Sequence, residues 1–333
     1  MLAVAGTALA IVVALAFGYA GSRSLFAKPA APVEKLRIAL PAVPHAALLY
    51  IAAAKGYFAE EGLDVTLTPV TFGRLALDLL AEGKADLASS SEVPLVISVL
   101  KGEQLAIAAT VVSVSNETAV VARRDRAIAQ PRDLVGKRVG VTFRTSGEYG
   151  LWVFLIRRKL APDSVTLVDV PPGQMVHELA SGTIDAVSTW EPIKSNAQFA
   201  LADNALSFTE ADAYTVAHVV VGRSEFLKAH TGAIEKLVRA LLKAEHFTRS
   251  EPQQALRVFA DQLKLDVKTL EPGWNDFAFK VDLPQSLLVA LEDEARWAME
   301  RGYADKGPVP NFLPHLHLDA LLAVQPERVT VVR

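Results

Sequence analysis

Residues 80–92 read LAEGKADLASSSE, and residues 179–191 repeat the same pattern as LASGTIDAVSTWE. In each copy an apolar helical run stops at a glycine, Gly83 or Gly182, which can adopt the left-handed conformation that ends a helix. An aspartate then opens a short apolar segment that runs out into hydroxyl side chains, as a buried strand would. Two copies of this pattern predict two similar lobes.

The similarity between the copies extends upstream, where each predicts the order strand, helix, strand, helix, strand. The first copy has predicted strands at 37–40, 64–69 and 86–89 and predicted helices at 45–55 and 74–82. The second copy has predicted strands at 138–142, 165–170 and 185–188 and predicted helices at 147–159 and 174–181. Each copy is therefore an α/β unit, βαβαβ, with parallel strands. Ligands of such sheets bind beyond the carboxyl ends of the strands.

Composition excludes several classes of protein. The 333 residues suffice for two domains, and 51% hydrophobic with 21% charged residues indicates a globular chain. A net charge of -3 without basic runs argues against a nucleic-acid partner. The chain has no cysteine, which excludes disulfides, thiolate zinc sites, a cysteine nucleophile and a lipid-modified cysteine.

The N-terminal segment, residues 1–35, predicts export. Residues 2–20 are uncharged and apolar, and they precede Arg23, Lys28 and a Pro/Ala-rich linker at 29–33. Small residues at Gly18 and Ala20 suit a signal peptidase, whereas the length of the run suits a retained membrane anchor. Both alternatives place the globular part in the periplasm or otherwise outside the cytoplasm.

Two apolar, β-branched stretches predict the connection between the lobes. Residues 105–114 with 118–122 leave the first lobe, and residues 214–221 return to it. We expect a two-strand hinge that bends near 111–118 and 214–220. Helical patterns after residue 230 predict helices that pack on lobe one. The predicted lobes are 36–114 with 216–333 for lobe one, and 115–215 for lobe two.

Three motifs identify a family resemblance. Residues 55–65 (KGYFAEEGLDV), 133–141 (DLVGKRVGV) and 185–192 (DAVSTWEP) resemble the signatures of solute-binding proteins from nitrate, sulfonate, taurine and thiamine-precursor ABC importers. The resemblance covers residue 36 to the C-terminus. It implies a periplasmic-binding-protein type 2 clamshell, a monomer that passes one small molecule to an ABC permease and its ATPase.

Candidate ligand-binding residues stand where the loops of the two units meet. Each has a structural alternative: Thr145 and Glu148 match a capping box, Ser91 can cap a helix, and His45 can simply start one. The aromatic candidates can be ligand walls or packing residues. The ten candidates are His45, Phe72, Ser90, Ser91, Glu92, Arg144, Thr145, Ser146, Trp190 and Glu191.

The candidate residues favour ligands of different charge. A helix N-terminus at Thr145 and Ser146 with Arg144 beside it favours a sulfonate-, taurine- or nitrate-type anion. Glu92 and Glu191 occupy matching places in the repeat and favour a neutral or cationic heteroaromatic, such as a thiamine pyrimidine. The sequence leaves both ligand classes open.

Metal, cofactor and catalytic sites are not expected. His315 and His317 lack a third ligand nearby, and Asp86 and Asp185 precede strands as turn residues. An enzyme on this fold would resemble the fungal thiamine-pyrimidine synthases, whose iron-binding motif is rich in cysteine; this chain has none. A tethered sensor that signals through a separate membrane partner is the other alternative to import.

Overall fold

The computed structural model describes residues 33–115, 117–209 and 214–332. From Glu34 onward the chain forms one compact unit. The predicted signal or anchor at residues 2–20, and the linker up to residue 32, lie outside the described residues. Among the helices that are described, none combines the length and the apolar character that a bilayer crossing needs.

The first repeat copy folds in the predicted order. A short 3-10 turn, Pro44–Ala46, precedes the first helix, because Pro44 fixes the backbone at a helix start but cannot donate a hydrogen bond. The elements are β1 Glu34–Pro41, α1 Ala47–Ala54, α2 Tyr57–Glu60, β2 Leu63–Val70, α3 Gly73–Ala81, β3 Leu87–Ser91 and α4 Glu92–Leu100.

The next part of the chain contains the second copy, and its predicted order is confirmed as well. It also adds a strand on each side of the copy. The elements are β4 Leu105–Val114, β5 Ala119–Arg123, β6 Arg138–Val141, α5 Ser146–Arg157, β7 Thr166–Asp169, α6 Met175–Ser181, β8 Ala186–Thr189, α7 Ile193–Leu201 and β9 Ala205–Phe208.

The C-terminal third is mostly helical, as predicted. Its elements are β10 Val216–Arg223, α8 Ser224–Ala229, α9 Thr231–Ser250, α10 Pro252–Leu263, α11 Val267–Trp274, β11 Ala278–Asp282, α12 Gln285–Glu300 and α13 Asp319–Val324. Strands β9 and β11 were not expected from the sequence. Both are short edge strands that are partly exposed, so their apolar pattern is weak.

The strands form two sheets with a common plan. The first sheet has the order β11-β4-β10-β3-β1-β2, and the second has the order β7-β6-β8-β5-β9. In each sheet the three strands of the repeat are parallel, and an antiparallel strand, β10 or β5, flanks them. The chain passes from the first sheet to the second between β4 and β5, and it returns between β9 and β10.

An arginine–aspartate pair anchors each repeat copy at the amino end of its third strand. Asp86 accepts hydrogen bonds from the main-chain N–H of Arg37 at 2.9 Å and from its Nη2 at 2.7 Å. Asp185 accepts the same two bonds from Arg138, each at 2.9 Å. The guanidinium holds the pKa of each carboxyl below its usual range, through side-chain and backbone hydrogen bonds that outweigh partial burial.

Each sheet has its own apolar core, and a further cluster joins the two sides. Tyr149 of α5 stacks edge-on against Tyr214 and Trp297, with ring centroids 4.8 Å and 5.2 Å away. Val93 and Ile97 of α4 belong to the same cluster. Helices on opposite sheets are thus packed together beside the crossing strands.

Candidate functional site

One cleft lies at the carboxyl ends of the strands, between the two sheets. The space between its walls, counted together with the open solvent at its mouth, is about 340 Å³. Its walls include Pro41 and Val43 after β1, Pro94 at the start of α4, and Gly73 at the start of α3. Six of the ten candidate residues also line it: His45, Phe72, Ser91, Thr145, Ser146 and Trp190.

The start of α5 forms the wall from the second sheet. Thr145 is its N-cap, but the Thr145 hydroxyl donates to the carbonyl of Thr142 at 2.7 Å and does not cap the helix. Glu148 accepts from the N–H of Arg144 at 2.8 Å instead of from Thr145. The capping-box alternative is therefore wrong, because neither of its reciprocal bonds is present.

Trp190 is both a wall and a packing residue. Its side chain lines the cleft, yet the residue is only 6% exposed. The indole lies against Gly147, where an added Cβ would come within 3.0 Å of Cζ3. A side chain at residue 147 would therefore push the indole away from its place, so the glycine leaves room for the aromatic wall.

Four candidates lie outside the lining of the cleft. Ser90 is buried behind it, against Gly73. Arg144 is half-buried with a left-handed φ of 62°, a conformation uncommon for a side-chain-bearing residue. Glu191 pairs with Lys194 at 2.9 Å and accepts from the N–H of Ser195 at 3.2 Å, so it stabilises the start of α7.

Glu92 belongs to a buried polar cluster at the crossing strands. Its Oε1 accepts from the N–H of Ala217 at 3.0 Å and from the hydroxyl of Tyr214 at 3.3 Å. Burial is the main cause that raises the pKa of Glu92, to about 8, and it raises that of the neighbouring Glu294 well above normal. The hydroxyl of Tyr214 lies between the two carboxyls, 3.3 Å from Oε1 of Glu92 and 3.5 Å from Oε1 of Glu294, and burial favours the protonated form of both.

Three residues of the lining that carry ionisable side chains were not among the candidates: Arg74, Glu117 and His218. Arg74 lies within the first turn of α3, close to the candidate Phe72. His218 interrupts the apolar run at residues 216–221, a signal that was available from the sequence. Glu117 stands in the crossing segment, where no local pattern marks it.

Arg74 reaches across the cleft. Its Nη1 donates to the carbonyl of Phe143 at 3.3 Å, and its guanidinium lies 5.2 Å from the centroid of the Phe72 ring. Burial, followed by repulsion from Arg144, lowers the pKa of Arg74. An arginine nevertheless stays charged near neutral pH, so Arg74 brings a fixed positive charge to the cleft.

A histidine pair and a glutamate occupy the inner part of the lining. Nε2 of His45 lies 2.8 Å from Oε1 of Glu117, and the rings of His45 and His218 stack with centroids 4.1 Å apart. All three residues are buried. Burial, reinforced by His45, lowers the pKa of His218 well below its usual value, so its imidazole is neutral.

Known proteins share this fold. A binding protein of Brucella abortus is 27% identical over 66% of this chain and 69% of its own length, and the taurine-binding periplasmic protein of Escherichia coli is 23% identical over 59% and 61%. Among solved structures, the alkanesulfonate-binding protein SsuA of Xanthomonas axonopodis bound to MOPS matches with a TM-score of 0.74 at 17% identity, over 86% of this chain and 99% of that one.

The same fold also serves catalysis elsewhere. The desulfurization enzyme DSZB matches with a TM-score of 0.63 at 16% identity, over 88% of this chain and 99% of that one. The family model described as NMT1/THI5 like matches residues 43–255, more than half of the chain. This chain belongs to the NMT1/THI5-like family, and it is a binding protein with the clamshell fold of periplasmic solute receptors.

Proposed function

We propose that the chain is the extracytoplasmic receptor of an ABC importer and binds a small anion in the cleft between its two sheets. The observation that carries this proposal is the shared lining of the cleft. Phe72, Arg74 and Ser91 come from the first sheet's side, and Thr145 and Trp190 come from the second. A ligand between them would contact both lobes at once, as a clamshell receptor requires.

The charge of the lining favours an anion over a heteroaromatic cation. Glu92 is occupied by its buried cluster and Glu191 by Lys194. The carboxylate that does line the cleft, Glu117, lies 2.8 Å from Nε2 of His45. Arg74 supplies a permanent positive charge and hydrogen-bond donors. Alkanesulfonates and taurine, which the named relatives bind, carry an anionic group that these donors could bind.

Ligand binding would bring the two lobes together. We assign 36–114 with 216–333 to lobe one and 115–215 to lobe two, with bending near 111–118 and 214–220. The two crossings between the sheets support this assignment, because a two-segment connection permits hinge closure. The closed form would be the one that docks on the permease as a monomer.

The ligand can be identified directly. Small molecules released from purified protein are analysed by mass spectrometry, and thermal unfolding is followed with taurine, alkanesulfonates, nitrate and a thiamine pyrimidine. An anion at about 100 times its Kd should stabilise the folded state by about 2.7 kcal/mol. A pyrimidine that stabilises while no anion does would overturn the anion assignment. Loss of ligand uptake on deletion of the gene distinguishes an importer from a tethered sensor.

A further inference from the structure

Three buried side chains with metal-binding atoms meet in the inner wall of the cleft. His45 follows β1, Glu117 lies in the crossing between β4 and β5, and His218 lies on β10. Each offers one ligand atom, and these atoms all lie within 4.8 Å of one another. We propose that they bind one divalent transition-metal ion, best matched by zinc, and that the anionic ligand of the cleft completes its coordination.

Four polar atoms of the cluster have no hydrogen-bond partner among the described residues. Among the residues that the structure describes, neither ring nitrogen of His45 has hydrogen-bond geometry with a partner, although Nε2 lies 2.8 Å from Glu117. Nδ1 of His218 and Oε2 of Glu117 likewise have no hydrogen-bond partner. A buried polar atom without a partner costs about 1–3 kcal/mol. A shared cation would satisfy one atom of each residue.

The spacing is close to that of a metal site. Ligand bonds of about 2.0–2.1 Å around tetrahedral zinc place the donor atoms roughly 3.3 Å apart. The observed separations, from 2.8 Å for His45 and Glu117 to at most 4.8 Å, lie on both sides of that value. The imidazole planes differ by 28° with centroids 4.1 Å apart, so small side-chain rotations would bring the three donors to one ion.

The donor set selects the class of metal. Calcium and magnesium prefer oxygen ligands, whereas two imidazoles and one carboxylate suit zinc and its neighbours in the first transition row. The ring of Phe277 packs edge-on against His45, with centroids 4.9 Å apart.

Three protein ligands leave an open position, as in zinc sites that bind a water or a small molecule. His45, Glu117 and His218 line the same cleft as Ser91 and Arg74, so a molecule in the cleft can reach that position. A zinc ion with Glu117 and Arg74 would give these groups a net charge of +2. The bound ligand would then be an oxyanion, with one oxygen on the metal and others on Arg74 and the hydroxyls. This part of the inference rests on the proposed function.

Zinc binding is tested first without any anion. The full-length protein is stripped with EDTA and titrated with ZnCl₂ against a chromophoric chelator, and Co²⁺ is added separately to record its visible spectrum. We expect one Zn²⁺ per chain and the intense absorption of four-coordinate Co²⁺. His218→Gln and Glu117→Gln should each weaken zinc binding by about 100-fold or more, while His246→Gln, at an exposed histidine of α9, should not.

The outcomes separate the metal from the anion. Equal zinc affinity in the wild type and His218→Gln would overturn the inference, and His45→Gln replaces any variant that circular dichroism shows to be misfolded. Alkanesulfonate titrations are then run with EDTA and with zinc, and zinc should raise the affinity at least tenfold. If the alkanesulfonate affinity is the same with EDTA and with zinc, the receptor proposal is retained and the role of the metal in anion binding is rejected. Zinc binding without anion binding retains the site and removes the assignment of its fourth ligand.

Discussion

The guanidinium of Arg74 donates a hydrogen bond across the cleft to the main-chain carbonyl of Phe143, with 3.3 Å between Nη1 and O. Arg74 lies at the start of α3 beside the first sheet, whereas Phe143 follows β6 of the second. The bond joins the two walls, and a bound anion would compete with the Phe143 carbonyl for the same donors. Arg74 therefore links ligand binding to the position of the lobes.

Removing the charge of Arg74 should weaken anion binding. Arg74→Gln keeps an amide donor but loses the positive charge, and a hydrogen bond to a charged group contributes about 1.5–3 kcal/mol. We expect alkanesulfonate affinity to fall by about tenfold or more in calorimetry. Arg132→Gln, at an exposed residue of the second lobe, is the control. An unchanged affinity in Arg74→Gln would assign the arginine to lobe closure alone.

Trp190 should contribute more to binding than a hydroxyl of the cleft. Loss of an aromatic anchor typically costs about 2 kcal/mol or more, against about 1 kcal/mol for a neutral hydrogen bond. Trp190→Ala should bind roughly thirtyfold more weakly and Ser91→Ala about fivefold more weakly, measured by calorimetry. Because the indole also packs on Gly147, thermal unfolding is recorded for both variants. Normal binding by a Trp190→Ala protein that melts early would make Trp190 a packing residue only.

Gly73 is required by a close approach of two chain segments. A Cβ at Gly73 would lie 2.7 Å from Cα of Ser90, and a backbone atom cannot move aside cheaply. Gly73→Ala should lower the free energy of unfolding by about 1–3 kcal/mol in urea titrations. Gly232→Ala, whose Cβ would meet nothing within 4 Å in α9, should leave it equal or raise it slightly. Equal stability of both variants would show that this part of the cleft wall is pliable.

Glu92 should make stability fall as the pH rises above its unfolded pKa. Burial raises the pKa of Glu92 from 4.5 to about 8, so the folded state keeps a proton that the unfolded state loses in this range. Its stabilising contribution is complete below about pH 4.5 and is lost progressively as the pH approaches about 8. Glu92→Gln has no proton to lose at this position. As the pH rises over that range, its free energy of unfolding should therefore increase relative to that of the wild type.

Urea unfolding at about pH 5 and about pH 8 measures this difference. Glu300→Gln, at an exposed residue of the same helix as Glu294, controls for loss of a carboxylate without burial. A constant gap between wild type and Glu92→Gln at the two pH values would mean that Glu92 is ionised in the folded protein.

The N-terminal segment should direct export. We expect residues 1–35, fused to a reporter that is active only outside the cytoplasm, to give signal, because residues 2–20 are apolar and uncharged. The mature N-terminus, read by mass spectrometry, decides between a cleaved signal and a retained anchor. A fusion protein that stays in the cytoplasm and gives no reporter signal would contradict the importer proposal.

The sequence predicted the repeated part of the fold well because local physics determines it. Gly83 and Gly182 end helices at the same place in both copies, and Asp86 and Asp185 bind an arginine of the first strand in both. The strand order follows from the rules for parallel βαβ units. Those rules do not predict the short edge strands β9 and β11, because their pairing depends on segments that are distant in the sequence.

The sequence predicted only the part of the candidate site that lies in or next to loops. Glu92 and Glu191 occupy the same repeat position, but Tyr214 and Ala217 of a distant segment bury Glu92, whereas Glu191 stabilises the next helix. No local pattern distinguishes these two environments. Arg74 was missed because an arginine in a first turn usually faces solvent.

The arginine–aspartate pairs lie at the amino ends of the strands, opposite the cleft. Arg37 with Asp86 and Arg138 with Asp185 fix the strand arrangement without using a residue that could touch a ligand. Substitutions at the carboxyl ends of the strands can therefore exchange one solute for another while the anchors keep both lobes folded. Evolution, or a protein engineer who builds a biosensor on this scaffold, can retune recognition without first rebuilding the framework.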